Sequence, residues 1–464
     1  MKSQLDEFKR IREKQRKASV QNVNKSPAYR LGLLKQAKKM LEENEDAWLE
    51  ALHNDLKKPT VEAYASEIGV LLNEIDEITK HLTGWMKPQS KHRLLLTGLE
   101  EVKISRKPYG SVLVIAPWNY PLQLALMPVI GALAAGNSVV LKPSEFAQTT
   151  SGLLAELVPL YFKEEQVKVI QGDADVAEKL TSLEWDFVFF TGSVETGKKV
   201  YKAAAEHLTP VLLELGGKNP LILDKTGMND ETIEQIAWGK FLNAGQSCIA
   251  PDTIYVSRPI YEEFLERMAK QIRNFYGKNP SQSEDYGRII HEKQFKKVAS
   301  FLKDGKVYTG GATDKDKLYI SPTLLTDIKP GSSVATEEIF GPILPVIPYD
   351  SLDDLLDELS YLPSPLVTYV FSEKEEVVQK IDRKLESGAI SQNQVIFHST
   401  SPNLPFGGKG NSGLGRYHGQ ASFEAFSVEK SHYSKSPSIS LSNQYPPYSK
   451  IALGALRKFR KYIF

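Results

Sequence analysis

Between residues 108 and 141 the chain carries no charged side chain. About 20 mostly apolar residues are enough to cross a bilayer as one helix, so the run raises that question first. Three prolines, Pro117, Pro121 and Pro128, and three glycines, Gly110, Gly131 and Gly136, interrupt it. Proline removes a backbone donor and clashes with the preceding turn, which disfavours one continuous spanning helix. The run reads instead as a buried strand at 111–116, a loop, a buried helix at 122–135 and a second strand at 138–141. Pro121 suits the first turn of that helix. Absence of charge then means deep burial in a protein core.

The rest of the chain supplies the layers around that core. Apolar residues spaced three and four apart over 31–52 and 68–82 predict helices near the N-terminus. Beyond the charge-free run come a helix at 151–161, a strand at 167–170, a helix at 174–180 and a strand at 187–190. A second alternation opens at 211–214 and 221–223. It continues with a helix at 231–243, a strand at 253–256, a helix at 260–274 and strands at 344–348 and 367–371. Strands alternating with helices at this spacing predict βαβ units and parallel sheets. Two α/β domains of similar kind are expected. Residues 100–106, EEVKISR, alternate apolar and polar side chains and predict an exposed antiparallel strand, part of an interface hairpin.

Charge and cysteine usage exclude several functions. With 58 Lys+Arg against 57 Asp+Glu, there is no cationic excess to displace counterions from nucleic acid. The histidines are dispersed, without zinc-ligand spacing. The single cysteine, Cys248, permits no intramolecular disulfide, in agreement with a reducing cytosol. The first residues, MKSQLDEFKRIREKQRKAS, are charged throughout and lack the apolar centre of a secretory signal. Residues 449–464 are too short and too charged to span a membrane. Ala452, Leu456, Phe459 and Ile463 form one helical stripe there, with Arg457, Lys458, Arg460 and Lys461 on the other side. Such a helix lies on an anionic membrane surface, or packs on its own protein or a partner subunit.

Candidate chemistry centres on Cys248, in the segment NAGQSCIAPD at 243–252. A lone cysteine is often a small buried hydrophobe. On a turn after a helix and a glycine, closed by Pro251, its thiol projects into a cleft. A free thiol has a pKa of about 8.5 and is a few per cent thiolate at pH 7. Attack on an aldehyde gives a thiohemiacetal whose oxygen gathers negative charge. Asn119, in APWNYP at 116–121, ends a buried strand; its amide with a backbone N–H would form an oxyanion hole. Taken alone, an Asn between two prolines is more simply a turn residue. Glu214, in LELGGKNP at 213–220, ends an apolar strand. Burial would raise its pKa towards neutrality and suit a general base, or it caps the next element.

Other segments suit a dinucleotide. Lys142 and Glu145, in KPSE after a buried strand, both reach for ribose hydroxyls, and an acidic residue there repels a 2′-phosphate. The plain alternative for Lys142 is a solvated strand end. Gly192, Ser193 and Gly197 lie in TGSVETG, a strand-to-helix turn. That is a phosphate site by its N–H groups and dipole, or an ordinary turn with Ser193 as N-cap. Residues 192–199 nearly match GxxxxGK[ST], but Lys199 replaces the hydroxyl that holds Mg²⁺ and Glu195 would repel a triphosphate. A triphosphatase is therefore disfavoured. The glycine cluster at 407–415 lacks a strand-to-helix context and signals a flexible loop.

In combination these segments carry a family resemblance. PWNYP at 117–121, KPSE at 142–145, FTGS at 190–193, LELGGKNP at 213–220, GQSCIAPD at 245–252, EEIFGP at 337–342 and PFGGKGNSGLGRYHG at 405–419 occur in that order. The sequence resembles the aldehyde dehydrogenase superfamily, and specifically its class 3 branch, over roughly residues 28–448. The resemblance implies an aldehyde dehydrogenase-like α/β fold with two parallel-sheet domains and a small β oligomerisation arm. It implies a dinucleotide-binding domain at 1–86 and 107–213 and a catalytic domain at 214–415. The arm and tail would be 87–106 and 416–464. The implied activity is NAD(P)-dependent oxidation of aliphatic or aromatic aldehydes to carboxylic acids through a cysteine thiohemiacetal and thioester.

The same resemblance assigns roles residue by residue. Cys248 matches the nucleophile, Glu214 the base and Asn119 the oxyanion amide. Lys142 and Glu145 match adenosine-ribose contacts, and Ser193, flanked by Gly192 and Gly197, the pyrophosphate site. Glu338 and Phe340 match the pair that holds the nicotinamide ribose and ring. Tyr120, Trp238, Leu242 and Thr400 are expected to wall the aldehyde tunnel. Lys240 matches a lysine near the site without an assigned role. NAD or NADP is the implied cofactor, with Glu145 favouring NAD, and no metal is required. A cytoplasmic homodimer is implied, with peripheral membrane contact through 449–464 left open. Lys409, in a loop often apolar in the family, is expected to alter the tunnel mouth.

Overall fold

In the computed structural model the charge-free run forms the centre of the larger hydrophobic core. The structure describes residues 2–20, 26–91, 101–435 and 445–448, with positions 450, 451, 453, 454, 457 and 458 of the tail. Every residue of strand Ser111–Ile115, helix Gln123–Ala135 and strand Ser138–Lys142 is buried. Pro128 lies inside that helix rather than ending it. Helices Pro27–Glu43 and Gly69–Trp85 cover it with apolar faces that include Leu34, Leu41, Ile75 and Ile78.

The first sheet has the order Gly413–Leu414, Val211–Leu215, Phe187–Gly192, Ser111–Ile115, Ser138–Lys142, Val167–Val169. Its strands are parallel except the first. Val211–Leu215, expected to open the second alternation, instead pairs with Phe187–Gly192 and belongs to this first sheet. The physical reason is visible in its side chains. Leu212 enters the larger core while Leu213 and Leu215 enter a second cluster on the other face. A strand apolar on both faces fits any central position, so its sequence does not choose a sheet. The glycine cluster also differs from expectation. Gly413 and Leu414 pair antiparallel with Glu214 and Leu213, and the Leu215 N–H donates to the Ser412 carbonyl at 3.1 Å. It is a packed edge, not a flexible loop.

The second sheet runs Lys306–Thr309, Thr323–Thr326, Ile343–Tyr349, Thr253–Ser257, Pro220–Leu223, Val367–Phe371, Ala389–Gln392. Only Lys306–Thr309 is antiparallel. The sheets are joined by the four residues between Leu215 and Pro220, so the ends of both meet at Glu214–Asn219. Strand Glu101–Pro108 forms the expected antiparallel arm, between Gln89–Ser90 and Ser427–Ser434. From Val428 onward the outer strand is exposed.

Among the described residues no helix is long and apolar enough to cross a membrane. The stripe Ala452, Leu456, Phe459 and Ile463 expected in the tail lies outside the described residues.

Candidate active site

Helix Asp230–Phe241 begins where the Asn229 side chain accepts the Thr232 N–H at 2.8 Å. It runs into a tight turn, Leu242–Gly245, in which Asn243 and Ala244 take left-handed φ values of 52° and 50°. Such conformations cost of order 1–3 kcal/mol each and persist only where neighbours enforce them. Side-chain amides do the enforcing here. Gln246 donates to the Asn243 and Arg288 carbonyls at 3.0 and 2.9 Å and accepts the Ile290 N–H at 3.1 Å. Asn219 donates to the carbonyls of Cys248 and Ala250 at 2.7 and 3.1 Å. Tyr369 donates to the Ile249 carbonyl at 2.7 Å. Gly245 is required by proximity as well as by its φ of +73°: a Cβ there would lie 2.3 Å from the Gly341 carbonyl oxygen. That contact presses the Glu338–Phe340 segment against the cysteine-bearing turn.

Asn119, at the end of strand Ser111–Ile115 and its loop, is 3% exposed and donates its side-chain amide to the Gln246 carbonyl at 3.2 Å. It therefore sits against the turn two residues before Cys248. Glu214, at the end of Val211–Leu215, is 1% exposed, and neither carboxyl oxygen meets a hydrogen-bond donor in good geometry. The Cys248 thiol is the polar neighbour that reaches it. Burial, then the Glu338 carboxylate, pushes Glu214 up to about 8. Burial, then Asp252, raises Glu338 to about 7. The sulfur is accessible through the cavity but walled by apolar groups, and burial followed by Glu214 and Glu338 raises the thiol well above its ordinary range. The few per cent of thiolate expected for a free cysteine is thus an overestimate for this apoprotein. Lys240, buried behind the turn, donates to the Pro251 carbonyl at 3.0 Å and is lowered by burial to about 8.

The cavity over Cys248 is lined by Val70, Tyr120, Leu124, Leu242, Ile396 and Phe406, among others. Thr400 lines it too, so three of the four expected wall residues meet there. Trp238 stacks on Phe397, next to the lining residue Ile396, with ring centroids 5.4 Å apart. Lys409 is exposed and paired with Glu386 at 2.5 Å. Tyr417 and His418 complete the wall. They stood in the quoted RYHG segment, but nothing in the sequence says that the chain returns there to the cysteine.

Residues at the strand ends of the first sheet, with Glu338 and Phe340, are of the types that suit a dinucleotide. Lys142 and Glu145 face each other at 2.6 Å after strand Ser138–Lys142. Ser193 caps helix Val194–Ala205 by accepting the Thr196 N–H, and Thr191 Oγ1 beside it is buried without a partner. Gly197 is as close as packing allows, since a Cβ would lie 2.5 Å from Leu215 Cδ2. Glu338 packs on Gly216, and Trp118 meets Phe340 edge-on at 5.3 Å. A chain of rings, Phe146, His291, Trp118 and Phe340, links the Lys142–Glu145 end to the Glu338 end. The donor set fits a nucleotide with two riboses. It does not fit a triphosphate cradle, because residues 194–199 are already helical and Lys198 pairs with Glu195 at the surface. Among the described residues no group of three or more His, Cys, Asp or Glu is placed to hold a metal.

Comparisons with known proteins bear on the family and the fold. A sequence profile described as Aldehyde dehydrogenase family matches residues 2–432. A 4,4'-diapolycopene-4,4'-dial dehydrogenase of Cytobacillus firmus is 49% identical over 424 residues, 91% of this chain and 93% of the relative. A Mus musculus protein described as aldehyde dehydrogenase, dimeric NADP-preferring, is 41% identical over 421 residues, 90% of this chain and 93% of that one. A solved structure described as the substrate bound state of Staphylococcus aureus AldH matches with a TM-score of 0.95 at 40% identity. It covers 97% of this chain and 99% of that one.

The electrostatics make a prediction for the cofactor-free protein. Glu338→Gln removes a negative charge that opposes ionisation of Cys248, so the thiol pKa falls and more thiolate is present at a given pH. Alkylation of Cys248 by iodoacetamide at pH 8 should accelerate about twofold to tenfold, a pKa change of up to one unit. An unchanged rate would show that the carboxylate does not act on the sulfur.

Proposed function

The chain belongs to the aldehyde dehydrogenase family and is an oxidoreductase that converts aldehydes to carboxylic acids with NAD or NADP, and from that premise we propose which of its residues do the work and on which aldehydes. The observation that carries the assignment is the thiol of Cys248, which lines a mostly apolar cavity and reaches the otherwise unpartnered, buried carboxyl of Glu214.

Cys248 releases its proton to solvent, and the thiolate adds to the aldehyde carbon. The Asn119 amide, with the backbone N–H of Cys248, stabilises the oxygen as it becomes negative; losing one such donor costs about 10²–10³ in rate. The dinucleotide, when bound, supplies the acceptor for the hydride that leaves this adduct. Lys142 and Glu145 would hold its adenosine ribose, and Gly192, Ser193 and Gly197 its phosphates. Glu338 and Phe340 would orient the reactive ring, and Glu145 tilts the preference to NAD. A thioester on Cys248 remains. Glu214, ionised above its raised pKa, draws a proton from water and the acid leaves. Residues 1–86 with 107–213 act in this reading as the cofactor unit and 214–415 as the catalytic unit.

The substrate class follows from the cavity. Val70, Leu124, Leu242, Ile396 and Phe406 offer no charge to a polar aldehyde, and the Cytobacillus firmus relative is named for a dialdehyde. We propose an aldehyde on an extended apolar chain. A homodimer is supported by the exposed edge of Ser427–Ser434, since an unpaired edge invites a second strand, and by the relative described as dimeric. We further propose that it is cytoplasmic and that the basic tail at 449–464 touches anionic membrane.

Cys248→Ala should abolish aldehyde-dependent NADH formation. Glu214→Gln should keep a single hydride burst while steady turnover falls about 10²–10⁴-fold, the usual range for a lost base. Steady turnover of the wild type should rise with pH through about 8, because the base must first lose its proton. Loss of the burst in Glu214→Gln would overturn this division of roles. Across straight-chain aldehydes from four to sixteen carbons, kcat/KM should climb with length; a flat profile removes the substrate proposal. Sedimentation equilibrium should give twice the 51.9 kDa chain mass, and co-sedimentation with anionic vesicles reads the tail.

A further inference from the structure

Behind the oxyanion candidate lies a buried ion pair that no motif marks. Lys58 follows helix Glu45–Leu56, and Glu67 lies in the π-helical turn Tyr64–Ile68. Both side chains are fully buried and paired with each other. The Lys58 ammonium also donates to the main-chain carbonyl of Asn119 at 3.3 Å and lies 4.2 Å from the centre of the Tyr120 ring. The second oxygen of Glu67 accepts the N–H groups of Leu122 and Gln123 at 2.9 and 3.1 Å. These are donors at the start of helix Gln123–Ala135 that the helix itself leaves free. One ion pair therefore grips segment 119–123 at both ends.

Asn119 is held on its other side by the catalytic turn. Its carbonyl accepts the Asn243 side-chain amide at 2.7 Å, and its own amide donates to the Gln246 carbonyl at 3.2 Å. A primary amide has two N–H bonds, so one is left over from the Gln246 contact. Its direction is fixed by the main chain that Lys58 and Glu67 grip. Stability alone is a poor reason for the pair. Burying two charges costs several kcal/mol per ion, and apolar residues of equal volume often stabilise a core as well or better.

We propose that Lys58 and Glu67 are positioning residues that hold the Asn119 amide in line with the oxyanion formed at Cys248. This rests on reading Asn119 as the oxyanion donor. Misplacement of a reacting group by about 1 Å can cost roughly a hundredfold in rate, which sets the scale of the effect.

The test compares full-length Asn119→Ala, the neutral swap Lys58→Met with Glu67→Gln, and the three changes combined. Gln at position 67 keeps an oxygen for the Leu122 and Gln123 N–H groups. Two rates are read: the single-turnover hydride burst, and alkylation of Cys248 by iodoacetamide, a displacement that forms no oxyanion. The neutral swap should slow the burst about tenfold to a hundredfold and leave alkylation within about twofold of wild type. In the combined variant the burst should be no slower than in Asn119→Ala alone, because the pair acts through that amide. An unchanged burst, an equal loss in both rates, or multiplying losses in the combined variant would each overturn the proposal. If Asn119→Ala leaves the burst intact, the reading of Asn119 itself fails. If Asn119→Ala slows the burst and the neutral swap does not, only the positioning role fails. Should the swap not fold, Glu67→Gln alone, which keeps volume and acceptor, is read in the same way.

Discussion

Burial of the Glu214 carboxyl against the half-buried Cys248 and Glu338 is the constraint on which the site depends. In that space each charge is costly and each proton is retained beyond its ordinary range. The thiol is kept unionised while the protein rests. A carboxyl with a pKa near 8 can release and recapture a proton close to neutral pH, as a general base must. The same low polarity strengthens whatever dipole is aimed at a developing oxyanion.

Holding reactive groups there requires the backbone to bend where it does not bend willingly. Ala244 is left-handed without being glycine, and the turn around it exists because Asn219, Asn243 and Gln246 tie carbonyls from distant segments. The groups arrive from three directions. Asn119 comes from a strand end of the first sheet, Glu214 from another, and Cys248 from a turn that feeds the second sheet. Parallel strands bring their carboxyl ends to one edge, so residues far apart in the chain converge without long loops.

Much of this was legible beforehand. The charge-free run could only be core, and its prolines and glycines cut it at nearly the right places. The reactive trio stood in local segments whose residue types announce their chemistry. Two failures have physical causes. Val211–Leu215 reads as the opening of the second alternation because its leucines face both ways, and only its pairing with Phe187–Gly192 sets it in the first sheet. The glycine cluster at 407–415 read as mobile because glycine marks freedom in an isolated chain, whereas here Gly413 lies against the Glu214 strand.

The sequence by itself determined the alternating α/β layers, the single thiol, the balanced net charge and the local turns that present Asn119, Glu214 and Cys248. Those depend on contacts within a few residues, where periodicity and turn chemistry act. Only the tertiary structure decided that Lys58 and Glu67 lie behind Asn119, that Tyr417 and His418 close the cavity, and how far each proton is held from its usual range. Such properties depend on burial and distance between segments far apart in the chain, and no stretch of sequence contains a distance to another.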